Sequence, residues 1–117
     1  MPQHLPAPTS IPVPGGKIID EYVGRVNSGT EAVSVARMTA PGGWTEPAQT
    51  PSFDEVTLVL RGTVRVEHDS GTLDVRAGEA VLTQAGERVR YSTPDPDGAD
   101  YVAICVPAFS PESAGRD

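Results

Sequence analysis

Four glycines restrict this chain more than any other feature. Gly62, Gly71, Gly78 and Gly86 follow one another at intervals of 9, 7 and 8 residues, with short runs rich in β-branched residues between them. Glycine takes positive φ without steric cost, so each marks a place where an extended segment ends and the chain turns. The flanking residues carry the same turn chemistry: Asp69-Ser70-Gly71, Ala77-Gly78, Ala85-Gly86 and Asp95-Pro96-Asp97-Gly98. The spacing predicts strands over Ala32–Met38, Val56–Leu60, Thr63–Glu67, Thr72–Arg76, Ala80–Thr83, Arg88–Thr93 and Tyr101–Val106, and the whole chain from Lys17 onward reads as extended. In Val64-Arg65-Val66-Glu67 and Leu73-Asp74-Val75-Arg76 apolar and polar residues alternate, which buries one face and wets the other. No segment keeps a helical period. Short strands at this interval predict an all-β sandwich or barrel.

The 117 residues suffice for one core without disulfides. They divide into an extended arm, residues 1–16, and a single β domain, residues 17–117. The arm carries five prolines, which fix φ and remove donors. It is either a disordered tail or an arm laid across a partner, the latter favoured by Leu5, Ile11 and Val13. At the other end, Ser110-Pro111-Glu112 has the residues to cap and start one helical turn. Phe109 is expected to anchor the tail.

A net charge of −7 argues against nucleic acid and against anionic lipid, both of which require clustered Lys and Arg. No apolar run approaches the ~18 residues of a membrane span, and the N-terminal residues lack the pattern of a secretory signal. The one cysteine, Cys105, cannot pair within the chain. A cytoplasmic location is the expectation, with Cys105 a small buried hydrophobe.

Two stretches resemble the paired motifs of the cupin superfamily. The first is Gly43, then Gln49-Thr50-Pro51, Glu55 and, after six residues, Gly62; the second is Gly78, five residues, Gln84-Ala85-Gly86, two residues, Val89, three residues, Thr93. The glycine framework and the glutamate match, over about residues 35–107. The resemblance implies a cupin-type jelly-roll barrel. The family's metal-binding histidine positions are occupied by Gln49, Pro51 and Val89, while the histidines present, His4 and His68, lie in the arm and before a turn. The usual three-His, one-Glu site therefore cannot form. The segment Trp44-Thr45-Glu46, Phe53-Asp54-Glu55, Val59 and Gly62 is similar to the ethanolamine-utilisation type of cupin.

In such a barrel the family's glutamate, here Glu55, points into the cavity. Alternation then puts Thr57 and Val59 beside it and Val56, Leu58 and Leu60 outside. Val89, Tyr91 and Thr93 also point inward, and Gln49 looks into the same mouth. The candidate catalytic residues are Glu55, Glu46 and Tyr91; the candidate ligand-binding residues are Gln49, Trp44, Phe53 and Arg37. Glu46, Gln49 and Glu55 offer oxygen donors for a divalent metal (Mn, Mg, Ca or Zn). Without a metal, the two carboxylates raise each other's pKa, and one can act as a base while Tyr91 donates a proton. The competing structural role for Glu55 is a buried charge paired with Arg37, Arg61, Arg65, Arg76, Arg88 or Arg90, or with backbone N–H groups. Tyr101 is expected in the core with its hydroxyl paired. Asp54 and Arg90 are expected to face away from the cavity.

Three functions follow: a lyase, isomerase or cyclase working by acid–base chemistry on a small molecule; a non-catalytic small-ligand-binding barrel; or a dimeric scaffold. The resemblance also implies a homodimer, paired through the outer face of one sheet, with the arm adding contacts.

Overall fold

Alternation along the chain becomes the inside and outside of two facing sheets. The computed structural model describes residues 1–117. Ten strands form: β1 (Thr9–Ile11), β2 (Ile18–Val23), β3 (Ser34–Ala40), β4 (Trp44–Thr45), β5 (Asp54–Arg61), β6 (Thr63–His68), β7 (Gly71–Arg76), β8 (Ala80–Thr83), β9 (Val89–Thr93) and β10 (Ala99–Val106). One sheet has the order β1-β2-β3-β10-β5-β8 and the other β4-β9-β6-β7, and all pairings are antiparallel. The fold is the all-β cupin-type barrel that the turn spacing and motif glycines predict.

Inward residues follow period two. On β5, Glu55, Thr57 and Val59 are buried while Leu58 and Leu60 are exposed; on β9, Val89, Tyr91 and Thr93 are buried. The larger core cluster joins both sheets through Val59, Val64, Val66, Val75, Val89, Tyr91 and Tyr101. A smaller one, Phe53, Cys105 and Ala114 with Phe109 against them, closes the other end. Phe53 and Phe109 meet edge to face with centroids 6.0 Å apart, so Phe109 anchors the tail as expected.

Two segments differ from the expectations, and the tail follows them. The arm is not free along its length: Thr9–Ile11 pair with Ile19–Glu21 and add an edge strand to the chain's own sheet. The strand expected from Ala32 begins at Ser34. The preceding loop is held instead by Glu21, whose carboxylate accepts the N–H groups of Val26 and Asn27 at 3.0 and 2.9 Å. The tail makes only the single expected turn. Ser110 Oγ accepts the Ser113 N–H at 3.1 Å, and the chain then runs beside residues 48–52, with Thr50 N–H donating to Gly115 O and Asp117 N–H to Ala48 O.

Gly62 joins β5 to β6 at φ +78°, and a Cβ there would strike the backbone carbonyl of Gly98. Both the dihedral and the close approach exclude a side chain. Gly62→Ala is expected to cost about 2 kcal/mol, read as a lower urea midpoint with an unchanged slope. An unshifted midpoint would remove the close approach as a constraint.

Candidate functional site

Between the two core clusters the barrel retains a pocket. Its room for the centres of water-sized molecules is about 50 Å³, which suits roughly three or four waters or a small organic molecule. The large sheet supplies most of the wall: Ile19 and Glu21 from β2, Ala36 and Met38 from β3, Glu55 from β5, and Tyr101, Ala103 and Cys105 from β10. Tyr91 of β9 faces them. Glu46, Gln49 and Phe53 enter from the loop before β5, and Ile11, Phe109 and Arg116 come from the two ends of the chain.

Of the residues the sequence singles out, the structure brings Glu55, Glu46, Tyr91, Gln49 and Phe53 together here. Trp44 and Arg37 stand elsewhere. Trp44 is packed in the larger core cluster, with Tyr91 and Tyr101, rather than in the pocket wall itself, and Lys17 Nζ lies 4.1 Å from its ring centroid. Arg37 is on the outer face of β3, exposed and 3.5 Å from Asp100, because its position has the opposite parity to the buried Ala36. Tyr101 also departs from expectation: its hydroxyl is buried without a hydrogen-bond partner, although the residue lines the pocket.

The counter-charges differ from the sequence expectation as well. Arg37 and Arg61 pair with Asp100, Arg65 with Asp74, Arg88 with Asp117 and Arg90 with Glu67, all on the outside, and Arg76 is exposed. None of them reaches Glu55. Asp54 faces out as expected and accepts the Ala85 N–H at 2.8 Å. The cations in the pocket are Lys17 and Arg116, neither of which the motifs mark. Lys17 was nevertheless legible in parity: Lys17, Ile19 and Glu21 share one face of the strand-like run that starts there. Arg116 carried no such signal, since it arrives with an irregular tail.

Burial governs the electrostatics. It pushes the Glu55 carboxyl from its ordinary 4.5 up to about 7, with the nearby Glu46 charge adding to the rise and Lys17 opposing it. Burial raises Glu46 too, against the pull of Lys17 and Arg116. Lys17 moves the other way: burial lowers it, while Glu46 and Glu55 hold it up. Tyr91 is pushed well above the usual phenol range, chiefly by burial, and shares a hydrogen bond of 3.0 Å with Thr83 Oγ1. Cys105 is raised by burial and next by Glu55, so the thiol stays protonated. The site thus holds one carboxyl poised near neutrality, a partly desolvated amine and a buried hydroxyl with spare hydrogen-bonding capacity.

A cupin metal centre does not fit these residues. No group of three His, Cys, Asp or Glu side chains is placed to hold a metal ion. The oxygen set of Glu46, Gln49 and Glu55 contains only two acidic donors, and the basic side chains Lys17 and Arg116 share the pocket with them.

Residues 39–115 match the family described as the AraC-like ligand binding domain. A Myxococcus xanthus protein named endoribonuclease YbeY is 45% identical over 104 residues, which cover 89% of this chain and 35% of that protein. The chain therefore spans about a third of that relative. Among solved structures, the Clostridium difficile EutQ protein superposes with a TM-score of 0.66 at 21% identity, covering 79% of this chain and 63% of the other. An RmlC-like cupin from Shewanella frigidimarina gives 0.74 at 14% identity, covering 88% and 86%. The barrel, the motif glycines and the match across residues 39–115 together make this chain a member of the cupin superfamily, within the AraC-like ligand-binding domain family.

Proposed function

We propose that the barrel binds a small carbonyl-bearing molecule and that Glu55 moves a proton on it, as in an isomerase or lyase. The observation that carries this reading is the meeting of Glu55, Glu46, Lys17 and the unpartnered Tyr101 hydroxyl in one largely apolar pocket. Proton abstraction next to a carbonyl needs a base matched to neutral pH and a donor or cation for the developing enolate oxygen. Glu55 serves as the base, and Tyr101 and Lys17 stabilise the oxygen. Gln49 and Phe53 confine the substrate, while Tyr91, protonated and tied to Thr83, fixes the far wall.

Pyruvate in D2O tests this directly, with loss of the methyl proton signal as the readout. The wild-type chain is expected to exchange these protons faster than buffer, with Glu55→Gln about 100-fold slower. Equal rates for the two proteins would overturn the proton-transfer role. A second reading is a ligand-binding module without turnover. It is favoured by the family's description and by the relative in which the matched region is about a third of a longer protein. Thermal stabilisation by pyruvate with no exchange would select it. The endoribonuclease activity in that relative's name belongs to a protein of which the match spans about a third.

We further infer a homodimer in a reducing cytoplasm. On the outer face of the large sheet, strand register aligns Leu82, Val56, Ile104 and Val35 in one row and Ala80, Leu58 and Val102 in the next. Leu82 is 60% exposed and Leu58 39%. An apolar face of this kind, bounded by Arg37 opposite Val102, can pair with its own copy about a two-fold axis. Light scattering is expected to give twice the chain mass, and Leu58→Arg with Leu82→Glu half of that. A wild-type monomer would refute the pairing.

A further inference from the structure

Nine residues of the chain are Lys or Arg, and Lys17 is the only lysine. Arg25, Arg37, Arg61, Arg65, Arg88 and Arg90 all hold ion pairs outside the pocket. Lys17 holds none, and it lines the pocket. Its Nζ is fixed over Trp44, 4.1 Å from the ring centroid, and stands 5.4 Å from that of Tyr101. These basic residues are not equivalent in chemistry. Guanidinium stays charged and is a poor nucleophile, whereas a desolvated amine loses its proton readily and attacks carbonyl carbon. Placing the chain's only amine side chain in a largely apolar pocket that also holds the Glu46 and Glu55 carboxyls meets the requirements of that reaction.

We propose that Lys17 Nζ condenses with the carbonyl of a small aldehyde or ketone to form a Schiff base in the pocket. The inference rests on the pocket being a small-molecule site, but not on proton abstraction by Glu55. In the first step the neutral amine adds to the carbonyl carbon. A nitrogen–carbon bond forms, the carbonyl π pair moves to oxygen, and a proton passes from nitrogen to oxygen to give the carbinolamine. In the second step the carbon–oxygen bond breaks. The protonated carboxyl of Glu55 or Glu46 gives its proton to the departing hydroxyl, which leaves as water, and the nitrogen lone pair forms the protonated imine. Hydrolysis reverses both steps and returns the proton to the carboxylate, so no oxidant or reductant is needed. Burial favours both reacting forms, the free amine at Lys17 and the neutral carboxyl at Glu55. Tyr101 offers its unpartnered hydroxyl to the oxygen of the carbinolamine.

The test is reductive trapping. The full chain is incubated with pyruvate or glycolaldehyde at pH 7.5, reduced with sodium borohydride, and mapped by peptide mass spectrometry. In the 117-residue chain used for the test, the α-amine of Met1 is the other primary amine and serves as the internal control. Labelling at Lys17 is expected to exceed that at Met1 at least tenfold, and to vanish in Lys17→Arg and Lys17→Met while Met1 still reacts. Equal labelling of the two amines, or labelling of Met1 alone, would overturn the proposal. Thermal melts with the same probes separate the two readings. A wild-type protein stabilised by pyruvate yet unlabelled at Lys17 would leave the pocket as a ligand site and end the covalent role. Neither stabilisation nor labelling with either probe would end both.

Discussion

Replacing Glu55 with glutamine is expected to make the protein more stable above neutral pH and to leave it unimproved in acid. The sign follows from the direction of the shift. The folded chain holds the Glu55 proton up to about pH 7, whereas the unfolded chain releases it near the ordinary 4.5. Between those values the folded state binds more protons, so stability falls as pH rises. The contribution is fully present below 4.5 and is lost through 7. A rise of that size corresponds to about 3 kcal/mol. The difference in unfolding free energy between Glu55→Gln and wild type should therefore grow by about 3 kcal/mol from pH 4 to pH 8, measured by urea denaturation. Each protein's own pH trend contains other groups, but their difference isolates Glu55. Parallel curves would show that Glu55 is ionised and fully compensated throughout, and the base proposed for the reaction would lose its tuning. Such a penalty at working pH is the usual signature of a group retained for chemistry.

Phe53→Ala is expected to be the most damaging single truncation in the molecule. Phe53 is almost wholly buried, forms the smaller core cluster with Cys105 and Ala114, and carries Phe109 on its edge. Deleting a buried phenyl ring costs about 3–5 kcal/mol, from lost transfer energy and the cavity left behind. The effect should spread in one direction. With its aromatic partner gone, Phe109 no longer pins the tail, and the amides of Ala114 and Asp117, bonded to Ser110 O and Ala48 O, should exchange faster. Amides in the centre of β6 should slow or quicken only with global stability. Phe109→Ala, which removes a half-buried ring, should cost less than Phe53→Ala. A loss below about 1.5 kcal/mol at Phe53, or unchanged tail exchange, would show that the second cluster does not hold the chain end.

The fold was legible because its determinants are local and periodic. Gly62, Gly78 and Gly86 all adopt positive φ, and the parity of Glu55, Thr57 and Val59 followed from alternation alone. The half of the site that lies on regular strands was legible for the same reason: Glu55 and Tyr91 sit where parity puts them. Arg37 faces out because Ala36 and Met38, of the opposite parity, take the inward positions of β3. Trp44 was misplaced because a two-residue strand gives too little pattern to tell a pocket wall from a core plug. The partners of Glu55 were hidden for a different reason. Lys17 lies just ahead of β2 and Arg116 beyond the last strand, each far from Glu55 in sequence, and only the closed barrel brings them together. The six arginines near the motifs in sequence proved irrelevant, since alternation and loop position send them to solvent.

That closure has a kinetic consequence. The pocket draws on residues from Ile11 to Arg116, nearly the full span of the chain. A nascent polypeptide cannot present it until Arg116 has been added, and partly folded forms lacking residues 109–116 lack one wall. Contacts so distant along the backbone form late and make folding slow. A ligand held by both ends of the chain then has little to grip in the folding transition state. It should slow unfolding while leaving the folding rate nearly unchanged, acting as a clasp on the finished barrel rather than a template for building it.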